Sequence, residues 1–260
     1  MVRWRLTRAE GILAGTSLDD ILDNGGVLTG APAAVPRHDD HAQAQAWLEQ
    51  QFRGYLGGER PTWIILPDRE RGERHLWQDL AAGQVEVGFG RSGVTLALSQ
   101  INRLQAPATL VAIDRMPGLQ PLTEVESRMR VDLDPDEAGL GLMLSLVDGR
   151  TDGSTDLTGL LEQARAVVAE PEVLFLPGTG SDGSLDRLLP ALSALGNWGG
   201  KDVRWEFAEA RIGPLGTVGS LFNWYWMHEG FRLGDWQGPV VMMDMDTSPL
   251  VGVSVADYNG

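Results

Sequence analysis

From residue 61 onward, short apolar runs alternate with segments whose apolar residues recur at helical spacing, the pattern of strands interleaved with helices. Trp63-Ile64-Ile65-Leu66 reads as a strand, and further strands are expected over 84–89, 108–113, 140–147, 172–176, 203–207, 239–245 and 250–256. Helices are expected over 92–104, 156–169, 184–195 and 217–230. This alternation predicts a layered α/β fold. The first 60 residues are less regular. Residues 17–23 form a short helix capped by Ser17, and 24–38, rich in Gly, Pro and Ala, read as loop. Residues 40–56 form an amphipathic helix with Ala44, Trp47, Leu48, Phe52, Tyr55 and Leu56 on one face. Three parts follow: an N-terminal extension with loops over 1–60, a first half over 61–150 and a second half over 151–260, the halves forming one compact unit.

The order helix, strand, turn, strand occurs twice. Gly90-Arg-Ser-Gly93 opens a helix leading to the strand Ala108–Asp114 and, past an acidic insert, to the strand Gly139–Leu146. Gly216-Thr-Val-Gly219 opens a helix leading to Val240–Asp244 and, past Ser248-Pro249, to Leu250–Val255. An internal period of about 125 residues is too long for a solenoid and implies two homologous halves.

Composition removes several classes of function. The 260 residues carry 21 basic and 36 acidic side chains, a net charge of −15, which opposes binding to nucleic acid or to an anionic membrane face. No cysteine is present, which excludes disulfides, thiolate metal sites and cysteine nucleophiles. The absence of a long apolar run and of signal-peptide character predicts a cytoplasmic protein.

Four motifs carry possible chemistry. Gly88-Phe-Gly90-Arg-Ser-Gly93 and Gly178-Thr-Gly180-Ser-Asp-Gly183 match a dinucleotide fingerprint. Asp182 would oppose a phosphate in the second loop, and tight strand-to-helix turns explain both. His38-Asp39-Asp40-His41 has metal-ligand spacing, but no third ligand can be named, and a helix start capped by Asp39 or Asp40 accounts for it. Asp132-Leu-Asp134-Pro-Asp136-Glu137 is acidic without the spacing of a calcium loop. The helix Leu221–Glu229 is aromatic nearly all round, which predicts burial, with His228 as a satisfied core histidine. Ser92, His228 and an aspartate make a triad on paper only. No cofactor or metal is expected.

Taken together, residues 84–257 resemble the thiolase superfamily, specifically the β-ketoacyl synthases, whose members consist of two similar halves. Gly90-Arg91-Ser92-Gly93 stands where that family turns into its nucleophile helix, and Leu110–Asp114 resembles the strand that follows. Glu137-Ala-Gly-Leu-Gly-Leu-Met-Leu resembles the family's glycine-rich strand. Pro177-Gly178-Thr179-Gly180-Ser181, with Asp186 beyond it, resembles the His-Gly-Thr-Gly-Thr loop. Ile212-Gly213-Pro214-Leu215-Gly216-Thr217-Val218-Gly219 resembles the later Gly-His stretch. The resemblance implies a thiolase-like αβαβα fold of two pseudo-symmetric halves, shortened relative to a full synthase.

It also implies that the nucleophilic cysteine and the two histidines are replaced by Arg91, Pro177 and Pro214. Arginine keeps its proton and proline offers no N–H donor, so no condensing activity is expected. Two functions then compete. One is a scaffold or adaptor, as in small degenerate thiolase-like proteins of type VI secretion clusters, working in effector loading or delivery with an effector or its chaperone as partner. The other is a chain-length-factor-like partner of an active ketosynthase in polyketide or aryl-polyene synthesis. An enzyme with unrelated chemistry in the same cleft is a third class. A homodimer, or a heterodimer with a larger thiolase-like subunit, is expected through the strand carrying Ala108, Leu110, Val111 and Ile113.

Overall fold

The computed structural model describes residues 2–28, 34–37, 41–117, 123–149, 157–178, 184–194, 196–200 and 202–260. Alternation of side chains along the strands sets its layering. In β4 (Thr62–Leu66), Trp63 and Ile65 face one way while Ile64 and Leu66 face the other, each set joining a different apolar cluster. β6 (Ala108–Pro117) behaves alike, with Leu110 and Ala112 on one face and Val111 and Ile113 on the opposite one. Both faces of this part of the sheet are therefore covered. The outer face packs on α2 (His41–Arg53) through Leu48 and Phe52 and on α3 (Arg74–Ala81) through Trp77.

The second half repeats the scheme. β9 (Val173–Phe175) and β11 (Val240–Met245) send Val173, Phe175, Val240 and Met242 inward. They send Leu174, Val241, Met243 and Met245 outward onto α5 (Leu157–Val167) and α6 (Ser184–Ala194). Between the inner faces lie α4 (Gly90–Leu104) and α8 (Thr217–Leu233), burying Val94, Ala97, Ile101, Val218, Leu221 and Phe222. The layers run helix, sheet, helix, sheet, helix, as expected.

The remaining strands are β1 (Arg3–Leu13), β2 (Thr16–Ser17), β3 (Ala34–Pro36), β5 (Glu86–Phe89), β7 (Thr123–Asp136), β8 (Gly139–Asp148), β10 (Arg204–Glu206) and β12 (Val251–Asn259). The order across the sheet is β10-β9-β11-β12-β8-β1-β7-β6-β4-β5, with β2 on β1 and β3 on β7. In each half three parallel strands are followed by two antiparallel ones, so β1, β4, β5, β6 and β7 match β8, β9, β10, β11 and β12. The halves meet where Arg3 and Trp4 of β1 pair with Gly141 and Leu140 of β8. The short helices are α1 (Leu18–Asp23), whose first turn Ser17 caps through the Asp20 amide, and α7 (Glu209–Ile212).

Three expectations change. Residues 1–60 are no mere extension of loops, since they supply the central strand β1 as well as α1, β3 and α2. The counterpart of β12 is β7 and not Gly139–Leu146, which as β8 opens the second half, so the boundary falls before residue 139 and not at 150. β7 itself runs through the acidic insert. It alternates from Val125 to Val131, burying Val125, Ser127, Met129 and Val131, with Asp132 and Leu133 also buried beyond them, while Arg128 bonds Gln51 and Arg115 engages Glu124 and Glu126 on the other face. Finally, β6 has no free edge. Ala108, Leu110, Val111 and Ile113 are inaccessible to solvent, and β6 is hydrogen-bonded to β4 on one side and β7 on the other. It cannot be the pairing strand.

Candidate functional site

The site grows from two sharp turns related by the internal repeat. β5 ends at Phe89, Gly90 takes φ of +73°, and α4 begins at once. Gly216, at φ +58°, opens α8 in the same way. Only glycine adopts such angles without strain, and there is a second reason for it here. A Cβ on Gly90 would collide with the carboxylate of Asp246, and one on Gly216 with the carboxylate of Asp114. Each turn thus receives a carboxylate from the opposite half. Asp246 accepts from the Arg91 amide at 2.5 Å, from the Ser92 amide at 3.4 Å and from Ser92 Oγ. Asp114 accepts from the Thr217 amide at 2.8 Å and from Arg69 at 3.0 Å. Both helix N-termini, the positive ends of their dipoles, are occupied by carboxylates of the chain itself.

Arg91 follows the first turn. Its side chain, 11% exposed, ends 2.5 Å from Oε2 of Glu209, which is 1% exposed. Burial opposes the charge on Arg91, but Glu209, Asp244 and Asp246 overcome it and hold the guanidinium above its ordinary pKa. Glu209 also accepts from the Gly178 amide at 2.8 Å and from the Leu215 amide at 2.6 Å. Gly178 follows Pro177 and Leu215 follows Pro214, so Arg91 and the residues next to the two prolines meet at one carboxylate. Pro177 is buried and Pro214 is exposed. With four acceptor lone pairs against three donors, Glu209 is satisfied as a charge rather than merely tolerated.

A second acidic pair lies behind. Asp244 is fully buried, and its Oδ2 accepts from Thr95 Oγ1 of α4 at 2.6 Å and from Ser220 Oγ of α8 at 2.8 Å. Burial pushes its pKa up to about 7, against the pull of those hydroxyls and of Arg91. Asp246 is pushed up to about 6, again chiefly by burial. Asp68 goes the other way. It binds the β11–β12 turn through Ser248 N at 2.8 Å and Thr247 Oγ1 at 2.8 Å and its own segment through Arg71 Nε at 2.9 Å, and these partners outweigh burial and lower its pKa.

The other motifs sort plainly. Gly88–Gly93 is the strand-to-helix turn, with Gly88 and Gly93 packed on Ile65 and the helix end filled by Asp246. Residues 179–183 of the second glycine loop and His38, Asp39 and Asp40 lie outside the described residues, so neither a phosphate nor a metal reading can be placed there. Asp132 bonds Thr109 of β6 and, within β7, Arg130, while Asp134 bonds Arg60 ahead of β4. His228 is buried beside Glu229 and edge-on to Tyr258, while Ser92 bonds Asp246, so no serine triad forms. Among the described residues, no group of three or more His, Cys, Asp or Glu is placed to hold a metal. No helix among them is long and apolar enough to cross a membrane. Sequence reasoning missed Glu209, Asp244, Asp246 and Asp114. For the three aspartates the signal was present, as carboxylates at alternate positions in otherwise apolar strands (Val-Ala-Ile-Asp114 and Met-Met-Asp244-Met-Asp246).

Solved structures with this architecture are numerous. The ketosynthase from module 6 of the bacillaene synthase of Bacillus subtilis matches with a TM-score of 0.64 at 10% identity, covering 99% of this chain and 70% of that one. The ishigamide ketosynthase/chain length factor matches at 0.58 and 12% identity, over 99% and 100% of the two chains. The acyltransferase ChlB3 matches at 0.53 and 14% identity, over 98% of each. No family model and no curated sequence matches. Identities this low establish the fold, that of the thiolase-like ketosynthases, and not the reaction.

Proposed function

We propose that this chain keeps the thiolase fold without its condensation chemistry and acts through protein contacts. The observation that carries the reading is the Arg91–Glu209 ion pair at the head of α4. A nucleophile at this turn would draw on the positive helix end and on nearby N–H donors. Here that helix end is neutralised by Asp246, and the Gly178 and Leu215 amides are spent on Glu209. Arg91 cannot attack an acyl thioester, because it holds its proton at every physiological pH. The test is a condensation assay with acyl and malonyl thioesters: no product is expected, and turnover above the uncatalysed rate refutes the reading.

Between the two non-catalytic roles, likeness to a ketosynthase/chain length factor supports a subunit paired with a thiolase-like partner. A role as adaptor in type VI effector loading rests on the resemblance of the sequence alone, and a cytoplasmic location on the character of its N-terminal residues. In either role the pairing edge is β5, which precedes α4 and, among the described residues, is hydrogen-bonded on one side only, to β4. An open edge of this kind invites another strand. Leu96, 49% exposed, lies beside it in a cavity of about 340 Å³ that Trp63, Arg74 and Gln100 also line. Light scattering is expected to give twice the 28.2 kDa chain mass, and Val87→Pro is expected to return it to one. A monodisperse wild-type monomer would exclude the homodimer and leave pairing with a larger subunit, tested by co-purification with its genomic neighbour.

A further inference from the structure

We infer that Asp244 is a proton-operated latch in the central helix layer: as a neutral acid it joins α4 to α8, and its ionisation loosens them. Oδ2 takes both hydroxyl bonds, one from each helix, and Oδ1 is buried with no partner. An ionised carboxylate leaving a dry oxygen unpaired is costly. Further unpartnered polar atoms lie on the elements packed beside it. Both side-chain atoms of Asn223, one helical turn beyond Ser220, lack a bond, and so does Ser254 Oγ on β12, which neighbours β11.

The charged groups around Asp244 are few. α4 contributes Arg91, β11 itself contributes Asp246, and α7 contributes Glu209, which Arg91 already neutralises. Asp68 and Arg71, on the segment before α3, act on Asp246. From α8, Ser220 and Asn223 stand nearby, and β12 offers Ser254 and Gly252, all uncharged. The facing residues of β9, Val173 and Phe175, are apolar. Arg91 is spent on Glu209 and Arg71 reaches Asp246, so Asp244 has no ion pair of its own among the described residues, in keeping with its upward shift to about 7. A folded-state pKa above the unfolded value of 3.8 means stability that is whole at low pH and declines as pH rises through about 7. The latch belongs to the helix layer and operates whether or not the chain is an enzyme.

Hydrogen–deuterium exchange of wild type, Asp244→Asn and Asp246→Asn at pH 5.5 and 8.5, corrected for intrinsic rates, tests it. Protection of residues 94–98 and 220–224 in wild type is expected to fall about thirtyfold at the higher pH. Asp244→Asn, which mimics the neutral acid, is expected to lose most of that fall, and Asp246→Asn, whose carboxylate titrates lower, to keep most of it. A wild type without the fall, or an Asp244→Asn profile matching the wild type, overturns the proposal. Should Asp244→Asn not fold, carboxyl NMR of aspartate-labelled wild type decides. One resonance titrating near neutrality is expected, and titration of all of them below pH 5 overturns it.

Discussion

Arg91→Ala is expected to lower the free energy of unfolding by about 3–5 kcal/mol, the range for breaking one side of a buried ion pair. The loss comes less from the missing attraction than from what remains. Glu209 would be left as a buried carboxylate still holding the Gly178 and Leu215 amides but with no cation beside it. Glu209→Gln should cost a similar amount for the complementary reason. It strands the guanidinium and, because an amide nitrogen cannot accept, orphans one of the two backbone donors. The double substitution should cost less than the sum, by about 1–3 kcal/mol, since each partner is the source of the other's penalty. Urea unfolding of the four proteins measures this coupling. Additive losses would mean that the pair does not organise the site.

Gly90→Ala and Gly216→Ala are expected to be nearly as damaging, at about 2–4 kcal/mol each. Two costs combine. The left-handed backbone alone accounts for about 1–2 kcal/mol. The rest is collision with a carboxylate that cannot retreat, since Asp246 and Asp114 are anchored by amides of the helices they cap. Gly57 separates the two costs. It has φ of +78°, and a Cβ added there would meet nothing within 4 Å, so Gly57→Ala should show the backbone cost alone. A cycle of Gly90→Ala with Asp246→Ala should recover the collision energy. Equal losses at Gly57 and Gly90 would refute a steric role for the two carboxylates.

Much of this architecture was legible in the chain. The apolar strands and the amphipathic helices declare themselves because they are buried on one or both faces, and the paired glycine turns expose the repeat. The elements that stay hidden do so for a common reason. β1 and β7 cover their alternation with charges on the outer face, where Arg128, Arg130 and Glu10 answer one another and their neighbours across strands. An outward row of arginines and glutamates reads as solvated loop unless every second residue is counted. The site was half legible. Resemblance pointed to Arg91, Pro177 and Pro214, and the fold brings Arg91 and the residues next to the two prolines to one place. Glu209, which gathers them, lies in a short helix with no sequence pattern of its own, and its role depends on contacts across more than one hundred residues. The pairing strand failed for a topological reason: an apolar run such as Ala108–Ile113 is as consistent with a central strand as with an edge, and strand order decides between them.

The proposal that an arginine–glutamate pair stands where a nucleophile would is tested by mass alone. Intact-mass spectrometry follows incubation with acetyl, malonyl and long-chain acyl thioesters, on wild type and on Arg91→Cys together. The wild-type mass is expected to stay unchanged with every thioester. Arg91→Cys, with Glu209 left unpaired beside the thiol and Asp246 on the helix end, is expected to label no faster than free cysteine. A covalent acyl adduct on the wild-type chain would contradict the reading of Arg91 as a replaced nucleophile.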